Sequence, residues 1–217
     1  MSDTSFFKKN NKQLWSNNLT LVRLIGITPV LAIATTLSNA LALGLATLLV
    51  LISSNVLVSL NRKKLTEKTK MPFAILVVAA LVTITDLVMQ AFAYALSTSI
   101  GIFVPLIATN GVIWDRLRVI ACNKTVMQAA YDGLVCGTAF LVVISIVGIL
   151  RELLGAGTIF KNMHLIFGSA AKNWVLQPFG ENFEVLIFNF PCGAFFILAG
   201  LLAVKNIIDS YLHQYAE

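Results

Sequence analysis

Asp86 lies near the centre of an apolar run from Met71 to Tyr94. A carboxylate at that depth in a bilayer costs on the order of 2.5–3.5 kcal/mol on insertion scales, and intramembrane acids face a bundle interior or a wet cavity, where they serve ion or proton paths. Gln90 follows four residues later on the same helical face. Two roles stand open for this acid: a place on an ion route, or a packing contact hydrogen-bonded to Thr83, Thr85 or a neighbouring subunit. Other chemistry is scarce. No nucleophile with a base, no paired carboxylates and no phosphate loop can be assembled, so no catalytic residue is assigned. The three cysteines, Cys122, Cys136 and Cys192, are too scattered for a disulfide framework, and His164 and His213 are isolated, so no metal site is assigned either.

The elements that must position such residues are membrane spans. The chain is 58% hydrophobic and 12% charged, with a mean hydropathy of +0.84. That composition marks an all-α integral membrane protein. Apolar runs fall at about Leu21 to Ala34, Ala40 to Leu60, Met71 to Tyr94, Ile100 to Ile113, Ala129 to Leu150 and Val185 to Val204. Crossing a hydrocarbon core takes about 20 residues, so the first and fourth runs fall short and are expected as half-helices. Both carry similar words, Ile25-Gly26-Ile27-Thr28-Pro29 and Ile100-Gly101-Ile102-Phe103-Val104-Pro105. Paired, Gly/Pro-interrupted segments in corresponding positions point to a duplicated chain whose site lies where those segments meet. Broken backbone is not tolerated against lipid, so the half-helices need shelter from neighbours or a partner subunit.

Six segments in two sets of three give repeats of about 19–96 and 97–210 within one domain of 217 residues, after an N-terminal segment 1–18. With the N-terminus in the cytoplasm, Lys8, Lys9, Lys12, Arg62, Lys63, Lys64, Lys68, Lys70, Arg116, Arg118, Lys124 and Lys205 fall inside, and Arg151, Lys161 and Lys172 outside. That excess of basic residues satisfies the positive-inside rule with both termini cytoplasmic. A repeat of three crossings then places the second half upside down, an inverted repeat. The net charge of +6 is accounted for by this loop bias, which makes nucleic acid a poor partner.

Several charged residues near span ends have more than one reading. Arg23 can snorkel to the headgroups. Arg116 and Arg118 can anchor the fourth segment at a helix C-terminus or dock a soluble electron-donor subunit. Asp132 and Gly133 read as a helix-start feature, and Arg151 with Glu152 as a local ion pair at the outer surface, worth little. The Gly155-Ala156-Gly157-Thr158 stretch reads as a turn, and the aromatics of the loop at about 151–184, among them Phe160, Phe167, Trp174 and Phe179, suit an interfacial anchor.

Taken in order, the segments also carry a resemblance. Leu14-Trp15-Ser16-Asn17-Asn18, Ile25-Gly26 with Pro29, Asn39-Ala40-Leu41 with Leu43-Gly44-Leu45-Ala46-Thr47, Gly101-Ile102-Phe103 with Pro105-Leu106-Ile107, Thr109-Asn110, and Arg151-Glu152-Leu153 with Gly155, Gly157 and Thr158 together resemble the E subunit of the Rnf-type ion-translocating oxidoreductase complex. The D subunit of the sodium-pumping NADH:quinone reductase is similar but matches less well. The resemblance implies a multi-pass protein of the bacterial inner membrane, paired with a sister subunit of opposite topology. It also implies an iron–sulfur cluster held between the two, through which electrons pass coupled to Na⁺ or H⁺ movement.

Relatives carry one cluster cysteine before the proline of the first short segment and one after Thr-Asn in the fourth. Those positions here are Thr28 and Gly111. A threonine hydroxyl is a hard, weakly acidic donor and glycine has no side chain, whereas such clusters take thiolates or, less often, histidine. Cys122 lies eleven residues beyond Gly111, about 16 Å along a continuing helix, and is no simple replacement. After the fourth segment relatives read approximately Gly-Arg-Ala-Glu-Ala-Phe, against Asp115-Arg116-Leu117-Arg118-Val119-Ile120 here, which keeps only Arg116. The expected function is that of one subunit in a membrane complex coupling electron transfer to ion translocation, acting as scaffold and half of an intramembrane redox or ion site, with the cofactor left unknown. A stand-alone secondary transporter and a redox-inactive assembly subunit are the alternatives.

Overall fold

A computed structural model describes residues 18–167, 171, 174–178 and 185–214. Every regular element among them is helical, with one isolated bridge between Ile159 and Leu176. In chain order they are α1 (Ile27–Ile33), α2 (Leu37–Asn61), α3 (Glu67–Phe92), α4 (Tyr94–Ile100), α5 (Gly111–Arg116), α6 (Val126–Ala156), α7 (His164–Phe167), α8 (Leu186–Asn189) and α9 (Pro191–Gln214). Two 3₁₀ turns, Gly101–Phe103 and Pro105–Thr109, join α4 to α5, and a π turn, Leu117–Ala121, continues α5. Five stretches are long and apolar enough to cross a membrane: Leu37–Asn61, Glu67–Phe92, Tyr94–Ala121, Val126–Ala156 and Pro191–Tyr211.

The expected six spans therefore appear, among the described residues, as five, and the two short segments differ from each other. The first is a seven-residue helix, α1. The fourth is broken more than short: Tyr94–Ala121 covers 28 residues, interrupted where Pro105 forbids regular α-helix and Asn110 turns extended (φ −64°, ψ 121°). The fifth run extends past the expected Leu150 to Ala156, stopping only at Gly157 in the left-handed region (φ 64°). The turn expected at 155–158 therefore begins only at Gly157, Gly155 and Ala156 belonging to the last turn of α6. Of the loop aromatics, Phe160 packs against a small cluster with Met163 and Trp174 is exposed. Phe179, Gly180 and the segment 1–17 lie outside the described residues.

Side chains set the helix starts. The Thr36 hydroxyl accepts from the Asn39 N–H at 3.3 Å, and Thr66–Thr69 and Thr125–Gln128 form reciprocal capping boxes at α3 and α6. The core is the antiparallel pair α2 and α6. A Cβ placed on Gly133 would lie 3.2 Å from the Ile52 Cα, one on Gly137 3.3 Å from the Leu48 Cα, and one on Gly148 2.8 Å from the Ala40 Cβ. Small residues let the two backbones close to a distance that larger side chains forbid, the usual basis of helix association where lipid offers no hydrophobic drive. Over their apolar windows α2 and α6 are each 56% buried within the chain, against 22% for α3 and 28% for α9. The latter two form the periphery.

At one end of the pair the Ser59 hydroxyl donates to the Lys124 carbonyl at 2.9 Å, which brings the α2–α3 turn with Arg62, Lys63 and Lys64 beside the turn before α6. At the other end the Ser38 hydroxyl donates to the Lys161 carbonyl at 2.7 Å. The two loop clusters thus occupy opposite ends of the bundle.

Candidate functional site

The two broken segments meet. Gly26, the residue before α1, has φ +75°, and a Cβ there would lie 2.4 Å from the Asn110 Oδ1 and 2.8 Å from the Val112 Cγ2. Both the left-handed backbone and the contact demand glycine. Reciprocally, a Cβ on Gly111 would lie 2.8 Å from the Ile25 Cγ2. Asn110 holds the junction: its Oδ1 accepts from the Val112 N–H at 3.0 Å, capping α5. The Trp114 indole N–H donates to the Ala108 carbonyl at 2.8 Å, tying α5 back across the break.

A cavity of about 220 Å³ lies at this junction, lined by Gly26, Thr28, Pro29, Leu106, Thr109, Asn110 and Gly111. Thr28 and Gly111, assigned from sequence as one pair of positions, line the same cavity. Thr28 and Thr109 are exposed, so it opens on the surface of the chain. Asn110 is 2% exposed, and with its oxygen engaged its Nδ2 is left without a partner among the described residues. The lining offers hydroxyls and amide N–H groups, and neither thiolate nor carboxylate.

An iron–sulfur cluster does not fit these residues. Thr28 presents oxygen, Gly111 presents no side chain, and a Cβ at 111 has no room until Ile25 moves. None of the three cysteines lines the cavity. Cys122 ends the π turn, and burial pushes its thiol pKa up, away from the thiolate a metal wants. Cys136 is buried on α6, and Cys192 is exposed at the start of α9.

Asp86 is not among the cavity residues. Its Oδ2 accepts from the Gln90 side chain at 2.9 Å, and its Oδ1 has no partner among the described residues. Thr83 and Thr85 do not help it, because their hydroxyls donate to the Ala79 and Leu81 carbonyls at 2.9 and 2.8 Å.

The charges near the ends of α5 and α6 depart from their sequence readings. Arg116 is no dock but an anchor in the last turn of α5: it is 5% exposed, pairs with the fully buried Asp132 at 3.4 Å and also bonds Asp115. Asp132 accordingly ties α6 to the end of α5, and Gly133 serves the contact with α2. Arg118, by contrast, is exposed. Arg151 and Glu152 are no surface ion pair, each being 1% exposed. The Arg151 guanidinium donates to the carbonyls of Leu31 (2.9 Å), Phe188 (3.1 Å), Asn189 (3.0 Å) and Phe190 (3.2 Å). The Glu152 carboxylate accepts from the N–H groups of Leu37 (2.8 Å) and Lys161 (2.6 Å).

A cation thus meets the C-terminal end of α1 and an anion the N-terminal end of α2, the polarity each helix end favours. These neighbours clamp the α1–α2 corner and so hold the short helix whose other end forms the cavity. Sequence reading underrated them because it ended the fifth span at Leu150. The available signal was that Leu153 and Leu154 continue the apolar pattern past the charges.

A family model described as "Rnf-Nqr subunit, membrane protein" matches residues 6–202 of the chain. A protein of Cellvibrio japonicus, named as the E subunit of an ion-translocating oxidoreductase complex, is 43% identical over all of this chain and 92% of its own length. One of the same name from Pseudomonas aeruginosa is 44% identical over all of this chain and 91% of its own. Another, from Shewanella loihica, is 44% identical over 92% of this chain and 86% of its own.

Proposed function

The chain belongs to the Rnf-Nqr family of membrane-protein subunits, and on that premise we propose that it serves in a membrane complex coupling electron transfer to ion translocation. Its part is that of scaffold and half of an intramembrane site. The observation that carries this reading is the outward-opening cavity between the two broken segments, matched to full-length similarity with relatives named as complex subunits. Broken backbone and a polar cavity cannot face hydrocarbon, so another subunit covers them. A sister subunit of opposite topology is the partner we assign to that face.

We place the chain in the bacterial inner membrane as an inverted repeat of three plus three segments, with α1 and the α5 segment opening the halves. The antiparallel course of α2 and α6, the second segment of each half, supports this. Orientation follows from charge: Arg62, Lys63 and Lys64 share one end of the bundle with Lys124, whereas Lys161 stands at the other. The basic end is cytoplasmic, with both termini. Asp86 is assigned to the ion route, and Asp86→Asn is expected to cut ion movement at least tenfold while the complex still assembles.

The test is purification of the complex in mild detergent, followed by iron, acid-labile sulfide and low-temperature EPR. Other subunits should accompany the chain in fixed stoichiometry; a chain that purifies alone and drives solute-coupled flux is a secondary transporter and sinks the reading. A Thr28→Cys, Gly111→Cys variant should gain iron over the unmodified complex only when Ile25→Val removes a methyl group from the cramped side of position 111. Equal iron in the unmodified complex and in the triple variant would mean that these two positions have no part in holding a cluster.

A further inference from the structure

The junction of α1 and α5 departs from the metal centre that the family resemblance implies, and it departs in two independent ways. The first is a loss of ligands. Clusters of iron and sulfide are held by about four protein ligands, thiolates or, in one class, two imidazoles among them. The cavity lining brings none of these, only the hydroxyls of Thr28 and Thr109, the Asn110 amide, backbone and apolar groups. Among the described residues no group of three or more His, Cys, Asp or Glu could hold a metal ion. To seat a cluster here, the covering subunit would have to supply every ligand itself.

The second departure is a gain of packing. Residues 25–26 and 110–112 interlock, each glycine receiving side chains of the other segment. The Ile25 Cγ2 lies 2.8 Å from where a Cβ would stand on Gly111, and the Asn110 Oδ1 and Val112 Cγ2 lie 2.4 and 2.8 Å from where one would stand on Gly26. The Ile25 methyl sits on a branched Cβ, so it cannot swing aside as the tip of a long side chain would. Asn110 and Val112 are buried, and Ile25 packs on the main core. The far end of α1 is fixed as well, by the Arg151 guanidinium on the Leu31 carbonyl. Both ends of the short helix are therefore seated by groups of this chain.

We infer that this junction is a metal-free joint: the chain gives no iron ligand there, and the complex built on it holds no iron–sulfur cluster at this face. Direct packing of the two broken segments positions α1 instead. No electron then crosses the membrane by way of these residues, and of the redox and ion uses open to the half-site the ion use is the one left to this chain. The inference rests on the reading of the chain as half of an intramembrane site and says which kind of half it is.

Two measurements test it, and neither is an electron-transfer activity. The first is local to the junction. Ile102 is 85% exposed and precedes the lining residue Leu106 by four positions, so a gadolinium tag attached through an unnatural amino acid at 102 has its anchor within about 14 Å of the cavity lining. In the purified complex, chemical reduction should leave the relaxation of this tag unchanged. Faster relaxation in the reduced complex would reveal a paramagnetic centre at the junction and overturn the inference, while the complex itself stands. The second measurement reads the joint in the purified full chain, by thermal unfolding of Gly111→Ala, Ile25→Ala and the two combined. Gly111→Ala should be better tolerated by about 2–4 °C in midpoint once Ile25→Ala has removed the methyl group it strikes. The same effect of Gly111→Ala in both backgrounds would mean that the two positions do not compete for space, and the joint falls. An unmodified chain that brings down no other subunit in mild detergent overturns the underlying reading itself.

Discussion

The charges of α6 and the acid of α3 pose one physical problem, an ionisable side chain inside a membrane protein, and they meet it differently. Arg151 and Glu152 find six backbone partners, four carbonyls and two N–H groups, all from this chain. Asp86 finds one among the described residues, the side chain of Gln90. A charge that its own fold satisfies is part of how that fold is held. The acid of α3 is held by one side-chain bond and buries its second oxygen without a partner among the described residues, so it adds little to holding the fold.

The sharpest way to break this comparison is at Arg151. Arg151→Ala strands four carbonyls at the corner where α1 turns into α2, and should cost about 3 kcal/mol or more, since each buried acceptor left unpaired costs about 1–3 kcal/mol. Unfolding of the purified chain in mixed detergent micelles would read it. A loss below about 1 kcal/mol would mean that the carbonyls are solvated and that Arg151 is no clamp. Arg151→Lys should recover only part of the loss, because an ammonium cannot span the same fan of acceptors. Next comes Gly148→Val, which sets a branched side chain against Ala40 and the Thr36 carbonyl, 2.8 and 3.2 Å from the new Cβ. Overpacking of this kind costs about 1–3 kcal/mol, and the same measurement should show it. Glu152→Gln is milder. It keeps one acceptor oxygen but turns an NH₂ toward a backbone N–H, for an expected loss of about 1–2 kcal/mol.

How far the sequence revealed these sites follows from what kind of contact made each one. The similar words around Gly26 and Gly101 pointed to two interrupted segments that meet, although the residues of the fourth segment at the junction are Asn110 and Gly111 and not Gly101; Thr28 and Gly111 were singled out by the family resemblance. The break at Asn110 was not read from the sequence, which showed the fourth run only as short. Arg151 and Glu152 were not legible, since their partners are backbone groups 9 to 120 residues away, and backbone groups carry no residue identity to read. Arg116 was legible as an anchor at a helix end but its main buried partner was not, because Asp132 is 16 residues on. The fourth segment looked short because hydropathy falls off at Asp115, although the helix continues through a π turn. Asp86 stood out because the cost of an acid in lipid is a property of the residue itself, whichever fold surrounds it.

The smallest effect sharpens the comparison most. Gln90→Leu removes the one hydrogen bond Asp86 has among the described residues, a bond on an exposed helical face with its partners four residues apart. Such pairs are worth about 0.2–0.5 kcal/mol, and leucine at that site enters a detergent or lipid shell more readily than glutamine. The isolated chain should therefore unfold within about 0.5 kcal/mol of the unmodified one. That silence is the expected outcome, and it contrasts with Arg151→Ala in the same assay. A large loss in the isolated chain would instead make Gln90 and Asp86 part of this chain's own framework, and α3 would no longer differ in kind from α6.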